Sequence, residues 1–330
     1  MEYRRVGGSD LQLPVVTFGA WAIGGWMWGG ADDGDAIRGI HRAIDEGITC
    51  IDTAPTYGMG HSETLVGKAI ADRRGEVLIA TKCGVRWDSE EGQFSLETRM
   101  NDGTPCKLYR NLRPHSVIHE CEESLKRLGV DVIDLYQCHW PDPTTPIADT
   151  MGAMKQLQDE GKIRFIGVSN FSPEQMAECL DVVNLVSNQP KYSLLDRQIE
   201  DDVLPFCRSH DIGILAYGPM HQGLLSGKVT ADRAFPDTDI RSGMPWYQAG
   251  NRERVLGMLE RIKPIADGHN ATLAQVAINW VLQQPGVTTA LVGARREDQA
   301  AENAGAASFK LSAGELQTLR KLAGELGEPQ

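Results

Sequence analysis

The amino-acid sequence predicts an α/β fold of the (β/α)8, or TIM barrel, type. Short runs of apolar and β-branched residues alternate with amphipathic helical stretches from Val15 onward, and eight such units can be counted. The length of 330 residues suits a barrel of about 250 residues with insertions. No linker, repeat or low-complexity segment interrupts the pattern, so we expect one domain over residues 1–330.

The predicted elements follow one another in regular order. Before Val15, a Gly-Gly turn between two short strand-like segments predicts a β-hairpin. The predicted barrel strands are VVTFGA, ITCID, EVLIATK, VIDLYQC, IRFIGVS, LVSNQ, IGILAY and TTALVG. The predicted helices between them cover residues 33–46, 61–72, 115–128, 147–160, 172–180, 200–210, 251–267 and 297–306. An extra C-terminal helix over residues 312–326 should pack outside the barrel.

Two connections, residues 84–113 and 218–250, are much longer than the usual loops of an α/β fold. We expect both to lack secondary structure and to lie at the carboxyl-terminal face of the barrel. Connections of this length in a compact domain usually serve as lids or binding loops. They are therefore predicted to border a binding site.

The composition favours a soluble, cytoplasmic protein. The net charge is −12 and lysines and arginines are interspersed with acids, so we expect no nucleic-acid partner. The N-terminus lacks the apolar core of a signal peptide, and no run approaches the ~20 apolar residues of a membrane span. The seven cysteines form no CxxC pair, which suits a reducing compartment; Cys50 and Cys138 should be buried thiols. The oligomeric state stays open.

Four polar residues stand at the ends of strand-like runs: Asp52, Tyr57, Lys82 and His139. A parallel barrel would bring them together at one mouth. The ammonium group of Lys82 should lower the phenol pKa of Tyr57 from about 10 and so prepare a proton donor. Asp52 would pair with Lys82, and His139 would orient a substrate oxygen. This chemistry suits the reduction of a carbonyl group.

The same residues allow other interpretations. Each of the four residues alone is more often a satisfied loop residue. A metal site at His61 and His139 lacks any HxH, HxxxH or carboxylate partner at ligand spacing, so no metal is expected. A barrel glycosidase would need two carboxylates that flank a bond, and Asp52 is committed to Lys82.

The chain resembles the aldo-keto reductases. The resemblance rests on IDTAPTYG, IATKC, LYQCHWPDP, GKIRFIGVSNF, SNQPKYS, YGPMHQGLLSGK and LVGARREDQAAEN, which follow the order and spacing of that family from Gly19 to about Gly305. It implies a barrel whose bottom is closed by the N-terminal hairpin. It also implies NADP(H)-dependent reduction of a small aldehyde or ketone, with a sugar-derived carbonyl among the candidates.

The resemblance also implies a set of cofactor-binding residues. Ser169, Asn170 and Gln189 would hold the nicotinamide carboxamide, and Tyr217 would stack on the ring. The residues assigned to the phosphates and the adenosine end are Gly218, Gly223, Leu224, Lys228, Gly293, Arg295, Arg296, Gln299, Glu302 and Asn303. The sequence departs from many family members at Gly218, where they have serine, and at Gln299, where they have arginine.

Tryptophans cluster near the ends of three predicted strands: Trp21, Trp26, Trp28, Trp87 and Trp140. Barrel-rim packing is one interpretation. The other is a flat-faced substrate pocket that suits the C–H surfaces of sugars or an aromatic aldehyde. Because the fold also resembles the β subunits of potassium channels, a protein that senses NADP(H) without catalysis is the alternative function.

Overall fold

The structure is a computed structural model that describes residues 1–330. Its strands are β1 (Tyr3–Arg5), β2 (Gln12–Pro14), β3 (Val16–Gly19), β4 (Cys50–Asp52), β5 (Leu78–Cys83), β6 (Val85–Arg86), β7 (Gln93–Arg99), β8 (Pro105–Arg110), β9 (Ile133–Cys138), β10 (Ile163–Ser169), β11 (Leu185–Gln189), β12 (Gly213–Tyr217) and β13 (Val287–Gly293). Its helices are α1 (Asp33–Asp45), α2 (His61–Ile70), α3 (Pro114–Leu128), α4 (Ile147–Asp159), α5 (Pro173–Leu180), α6 (Val203–Ser209), α7 (Ala249–Gly268), α8 (Leu273–Leu282), α9 (Glu297–Gly305) and α10 (Ala313–Gly324).

Eight parallel strands close into a barrel, which confirms the predicted fold class. Around the barrel the order is β3, β4, β5, β9, β10, β11, β12 and β13, with β13 paired to β3. Every residue of β9 is buried because barrel side chains cover one face and helices the other. This two-sided burial explains why the strands read as continuous apolar runs. All eight predicted barrel strands are present in the predicted order.

The N-terminal hairpin of β1 and β2 closes the amino-terminal end of the barrel, as expected. Val6, Leu11 and Leu13 are buried against inward-facing barrel side chains. The hairpin approaches the barrel closely, because a Cβ on Gly7 would lie 2.0 Å from the carbonyl oxygen of Asp211, and the φ of Gly7 is +53°. Asp211 precedes β12, so this contact lies at the amino end of the strands.

The long connection over residues 84–113 was wrongly expected to lack secondary structure. It contains the antiparallel sheet β6-β8-β7, which we call the cap sheet. Charged residues on the exposed face obscured the alternation, while Cys106 and Leu108 are buried on the other face against Trp26. The connection over residues 218–250 was also expected to lack secondary structure, but it contains three short 3-10 helices, and α7 begins at Ala249.

The prediction also missed α8, so the barrel carries one more helix than expected. Nearly all of its residues are buried, and the sequence LAQVAINWVL therefore lacks the polar stripe of an amphipathic helix. A capping box formed by Thr272 and Gln275 marks its start and was the available signal. None of the helices combines the length and the apolar character needed to cross a bilayer. All seven cysteines are free and buried, including Cys50 and Cys138.

Candidate active site

Lys82 lies at the centre of the four polar residues, at the carboxyl end of the barrel. Its Nζ donates to Asp52 Oδ1 at 2.6 Å, to the carbonyl oxygen of Thr53 at 3.0 Å and to Tyr57 Oη at 3.2 Å. Lys82 is fully buried, and its burial is tolerated because each of its three N–H groups has an acceptor. The strand ends thus bring Asp52, Tyr57 and Lys82 into direct contact.

Asp52 is also fixed by side chains of two other barrel strands, β9 and β11. Its second oxygen, Oδ2, accepts from Gln189 Nε2 at 2.7 Å and from Gln137 Nε2 at 3.1 Å. A buried carboxylate is tolerated when a cation and further donors satisfy its lone pairs. Asp52 meets this condition, so the carboxylate remains aimed at Lys82.

The expected lowering of the Tyr57 pKa is wrong. Burial removes the water that would solvate a phenolate, and it raises the pKa of Tyr57 above its ordinary value. The positive charge of Lys82 acts in the opposite direction but does not overcome burial, and the charge of Asp52 adds to the rise. The phenol therefore stays protonated at neutral pH, which is the state that a proton donor needs.

Lys82 keeps its proton despite its burial. Desolvation alone would lower the pKa of the ammonium group, but the charges and hydrogen bonds of Asp52 and Tyr57 hold that pKa above its ordinary value. A permanent cation thus lies beside the Tyr57 oxygen. It would stabilise the phenolate that remains after proton transfer.

His139 follows β9, and its ring meets the Tyr57 ring edge to face at 5.8 Å between centroids. Burial, together with the positive charges of Lys82 and Arg110, places the pKa of His139 well below its ordinary value. The imidazole is therefore neutral near pH 7 and its ring nitrogens bond to no protein group. A neutral imidazole can donate to an oxygen atom held beside the Tyr57 hydroxyl.

The turn that carries Tyr57 is packed directly against the loop after β3. A Cβ on Gly58 would lie 2.2 Å from the carbonyl oxygen of Gly24, so glycine is required at this contact. Asn101, from the tip of the cap sheet, donates to the same Gly24 oxygen at 2.8 Å. The cap sheet, the loop and the Tyr57 turn are thus held as one unit.

Four of the five predicted tryptophans line a central cavity beside Tyr57: Trp21, Trp26, Trp28 and Trp140. Trp21 stacks on the Tyr57 ring at 6.1 Å, and Trp28 meets Trp21 edge to face at 5.4 Å. Trp87 does not line this cavity. It follows β6 and borders an outer groove. Trp26 lies between the groove and the central cavity and lines both.

The central cavity has a volume of about 400 Å3 and extends from Tyr57 and His139 to the start of α9. Twelve of the predicted cofactor-binding residues line it: Ser169, Asn170, Gln189, Tyr217, Gly218, Gly223, Lys228, Gly293, Arg295, Gln299, Glu302 and Asn303. Two do not. Leu224 is fully buried beneath the loop, and the exposed Arg296 pairs with Asp298 through two hydrogen bonds of 3.0 Å.

Comparison with known proteins identifies the family of this fold and site. The model of the Aldo/keto reductase family matches residues 15–323. The chain belongs to the aldo/keto reductase family. Members of this family are oxidoreductases that use nicotinamide cofactors and act on small carbonyl compounds.

Individual members of the aldo/keto reductase family resemble the chain over most of its length. It is 41% identical over 302 residues to aldo-keto reductase YhdN of Bacillus subtilis, covering 91% of this chain and 86% of that protein. It is 38% identical to the NADH-specific methylglyoxal reductase of Escherichia coli, covering 96% and 97%. The structure of a glycerol dehydrogenase from Gluconobacter oxydans matches with a TM-score of 0.87 and 40% identity, covering 99% of this chain and 96% of that one.

The cavity of this aldo/keto reductase has polar groups suited to a nicotinamide dinucleotide. At the end beside Tyr57, the Tyr217 hydroxyl donates to Asn170 Oδ1 at 3.1 Å, and Asn170 Nδ2 donates to the His139 carbonyl oxygen at 3.1 Å. At the far end, Lys228 Nζ lies 2.5 Å from Glu302 Oε2. There the main-chain N–H of Arg295 donates to Gln299 Oε1 at 2.8 Å. Donors, acceptors and cations along a continuous cavity fit the carboxamide, phosphate and adenosine parts of the cofactor.

Several residues of the candidate site were not predicted from the sequence. Gln137 contacts Asp52 but is read in the sequence as part of an apolar strand. Gln222 and Ser226 line the cavity within the loop after β12, where only their neighbours were assigned. Arg241 also lines the cavity, packs over the Trp28 ring at 5.0 Å and bonds Asp239 through two nitrogens. Nothing in the sequence of the long connection predicts that Arg241 is buried.

The two histidines of the metal interpretation do not share a cavity. The His61 ring lies 2.9 Å from Asp33 Oδ1 and borders the outer groove, whereas His139 lines the central cavity. No group of three or more His, Cys, Asp or Glu side chains has the arrangement of a metal site.

Proposed function

We propose that this chain reduces small aldehydes or ketones with NADP(H), and that Tyr57 protonates the carbonyl oxygen. The observation that carries the proposal is the contact between a protonated phenol and a buried ammonium group at one end of a long cavity. When bound, the reduced nicotinamide supplies the hydride to the carbonyl carbon. The protein must hold the carbonyl oxygen and deliver the proton.

Each residue of the group has a distinct part in that proton transfer. Tyr57 gives its hydroxyl proton to the oxygen that gains negative charge, and Lys82 stabilises the resulting phenolate. Asp52 keeps Lys82 charged and aimed at Tyr57. The neutral His139 ring donates to the same substrate oxygen and orients the carbonyl.

The charges at the far end of the cavity favour the phosphorylated cofactor. Burial and the neighbouring positive charges of Arg241, Arg296 and Arg233 lower the pKa of Arg295, although Asp239 partly opposes them. A bound anion would relieve this excess of positive charge. The relative from Escherichia coli is named as NADH-specific, so binding measurements with both NADPH and NADH test this preference.

The lining of the cavity beside Tyr57 suits a small, oxygen-rich carbonyl compound. The indole N–H groups of Trp21 and Trp28 are buried without any protein acceptor. A ligand oxygen that accepts a hydrogen bond from such a buried donor is stabilised, because the donor otherwise has no partner. The names of two relatives, a methylglyoxal reductase and a glycerol dehydrogenase, also refer to small oxygenated compounds.

The direct test is the oxidation of NADPH in the presence of a panel of sugar-derived, aliphatic and aromatic aldehydes. We expect turnover with at least one class of aldehyde. It is measured as a fall in NADPH absorbance that occurs only when the aldehyde is present. Tight binding of NADPH with no turnover on any aldehyde would support the cofactor-sensing alternative instead.

Replacing Tyr57 with phenylalanine should reduce kcat by about 10² to 10⁴ fold, the range for loss of a general acid. The dissociation constant for NADPH, measured by quenching of tryptophan fluorescence, should change by less than about twofold because the phenol oxygen holds no part of the cofactor. Tyr136→Phe is the matched control, because Tyr136 donates to Val117 outside the cavity. Turnover close to wild type in Tyr57→Phe would exclude Tyr57 as the acid.

Arg295→Ala should weaken NADPH binding by about 1.5–3 kcal/mol more than NADH binding, because it removes a charge-assisted contact to phosphate. Arg296→Ala is the control, since Arg296 is exposed and paired with Asp298. Calorimetric titration with both cofactors measures the difference. An equal loss for NADPH and NADH in Arg295→Ala would mean that Arg295 does not select the phosphorylated cofactor.

Trp28→Ala should lower kcat/KM for polyhydroxylated aldehydes by about 1–3 kcal/mol, the scale of a lost pocket contact. NADPH affinity should hardly change, because Arg295 contacts only the main-chain oxygen of Trp28. Trp87→Ala serves as the control because Trp87 lies outside the central cavity. Loss of aromatic substrates with retention of sugar-derived ones would contradict the sugar hypothesis.

A further inference from the structure

The loop after β12 contains two consecutive non-glycine residues with left-handed backbone. The φ angles are +47° at His221 and +51° at Gln222. Non-glycine residues rarely adopt this conformation, although asparagine, aspartate and histidine do so more often than other residues. Two such residues in succession persist only where surrounding groups hold them. Gln222 lines the central cavity, and its buried Oε1 has no hydrogen-bond partner. Gln222, the second residue of the pair, therefore lies where a ligand would contact the loop.

Tyr247 holds the strained pair from the side of α7. Its hydroxyl lies 2.8 Å from the carbonyl oxygen of Gln222 and 3.2 Å from that of His221, so one proton is shared between two acceptors. The Tyr247 and His221 rings stack at 6.4 Å with an angle of 18°. Burial raises the pKa of Tyr247, so the hydroxyl remains a donor throughout the neutral range. Arg252 in turn donates to the Tyr247 carbonyl oxygen.

Asp196 holds the same pair from the loop after β11. His221 Nδ1 lies 2.6 Å from Asp196 Oδ2, while Lys191 Nζ lies 2.9 Å from Oδ1. Ser193 donates to Oδ2 at 3.0 Å. Burial would raise the pKa of Asp196, but His221 and Lys191 lower it to about 2, so the carboxylate is charged. Lys191 also pairs with Tyr217 in a β-bridge, which ties the two loops together.

The two faces of the loop thus have different surroundings. Gly218, Gln222 and Gly223 face the cavity, whereas the His221 side chain is 2% exposed and lies on the protein side. We propose that Asp196, His221 and Tyr247 form an anchor that fixes this loop in its dinucleotide-binding conformation and so sets dinucleotide affinity. They are positioning residues, since none of them lines the cavity. The inference rests on the proposed binding of NADP(H) in this cavity.

Tyr247→Phe tests the anchor with the smallest change. Phenylalanine keeps the stacking on His221 but removes the hydroxyl that bonds both carbonyl oxygens. The dissociation constant for NADPH should rise by about 5- to 30-fold, which corresponds to the loss of such hydrogen bonds. At saturating NADPH, kcat should stay within about twofold of wild type, because the proton-donating group is unchanged. Calorimetry on the protein without substrate gives the dissociation constant.

His221 offers a matched pair of variants. Asparagine tolerates the left-handed conformation, and its Nδ2 can occupy the place of the histidine Nδ1 beside Asp196. His221→Asn should therefore keep the dissociation constant within about threefold of wild type, whereas His221→Leu should raise it about tenfold or more. Rescue by asparagine would not be expected if the histidine ring only filled space.

The outcomes separate this inference from the proposed function. If the wild-type protein binds neither NADPH nor NADH, the proposed function fails. If the wild type binds NADPH and both Tyr247→Phe and His221→Leu bind it equally well, the anchor is overturned and the proposed function stands. A loss of kcat at saturating NADPH with an unchanged dissociation constant also overturns it. Should His221→Leu fail to fold, Tyr247→Phe decides alone, since it retains the ring packing.

Discussion

The buried ion pair of Lys82 and Asp52 is the interaction on which the whole site depends. Removing an ammonium group and a carboxylate from water is costly unless both are fully paired. The barrel meets this requirement with three acceptors around Lys82 and two amide donors, from Gln137 and Gln189, on Asp52. The third acceptor of Lys82 is the Tyr57 oxygen. Satisfying the buried cation therefore also positions the phenol beside the cavity.

Residues that hold the proton-donating group in place also line the part of the cavity assigned to the dinucleotide. Gln189 bonds Asp52 and lines the cavity, and Asn170 bonds both Tyr217 and the His139 main chain. The groups assigned to the nicotinamide are therefore the ones that hold the proton-donating residues in place. Further along, strained loop residues and clustered arginines border the part of the cavity assigned to phosphate. The carboxyl ends of neighbouring strands bring all these groups together.

The sequence was sufficient to predict the barrel and the meeting of Asp52, Tyr57, Lys82 and His139, because parallel strand order alone determines which strand ends are neighbours. It could not predict the direction of the Tyr57 pKa shift, which depends on the depth of burial relative to one nearby charge. Helix α8 was missed because two-sided burial removes the amphipathic pattern. The cap sheet was missed because charged residues cover its exposed face. Arg296 lies outside the cavity, where it pairs with Asp298. The order of the family motifs along the sequence does not predict this pairing.

The most direct test of the central claim is the pH dependence of kcat/KM for carbonyl reduction at saturating dinucleotide. A raised pKa keeps Tyr57 protonated to a pH above its ordinary value of about 10, and a lowered pKa keeps His139 neutral down to a pH below its ordinary value of about 6.5. We predict a constant kcat/KM between about pH 6.5 and pH 9.5, with a decline only above about pH 10. A decline with a midpoint between about pH 7 and pH 9 would contradict this prediction, because that would require Tyr57 to ionise within the neutral range.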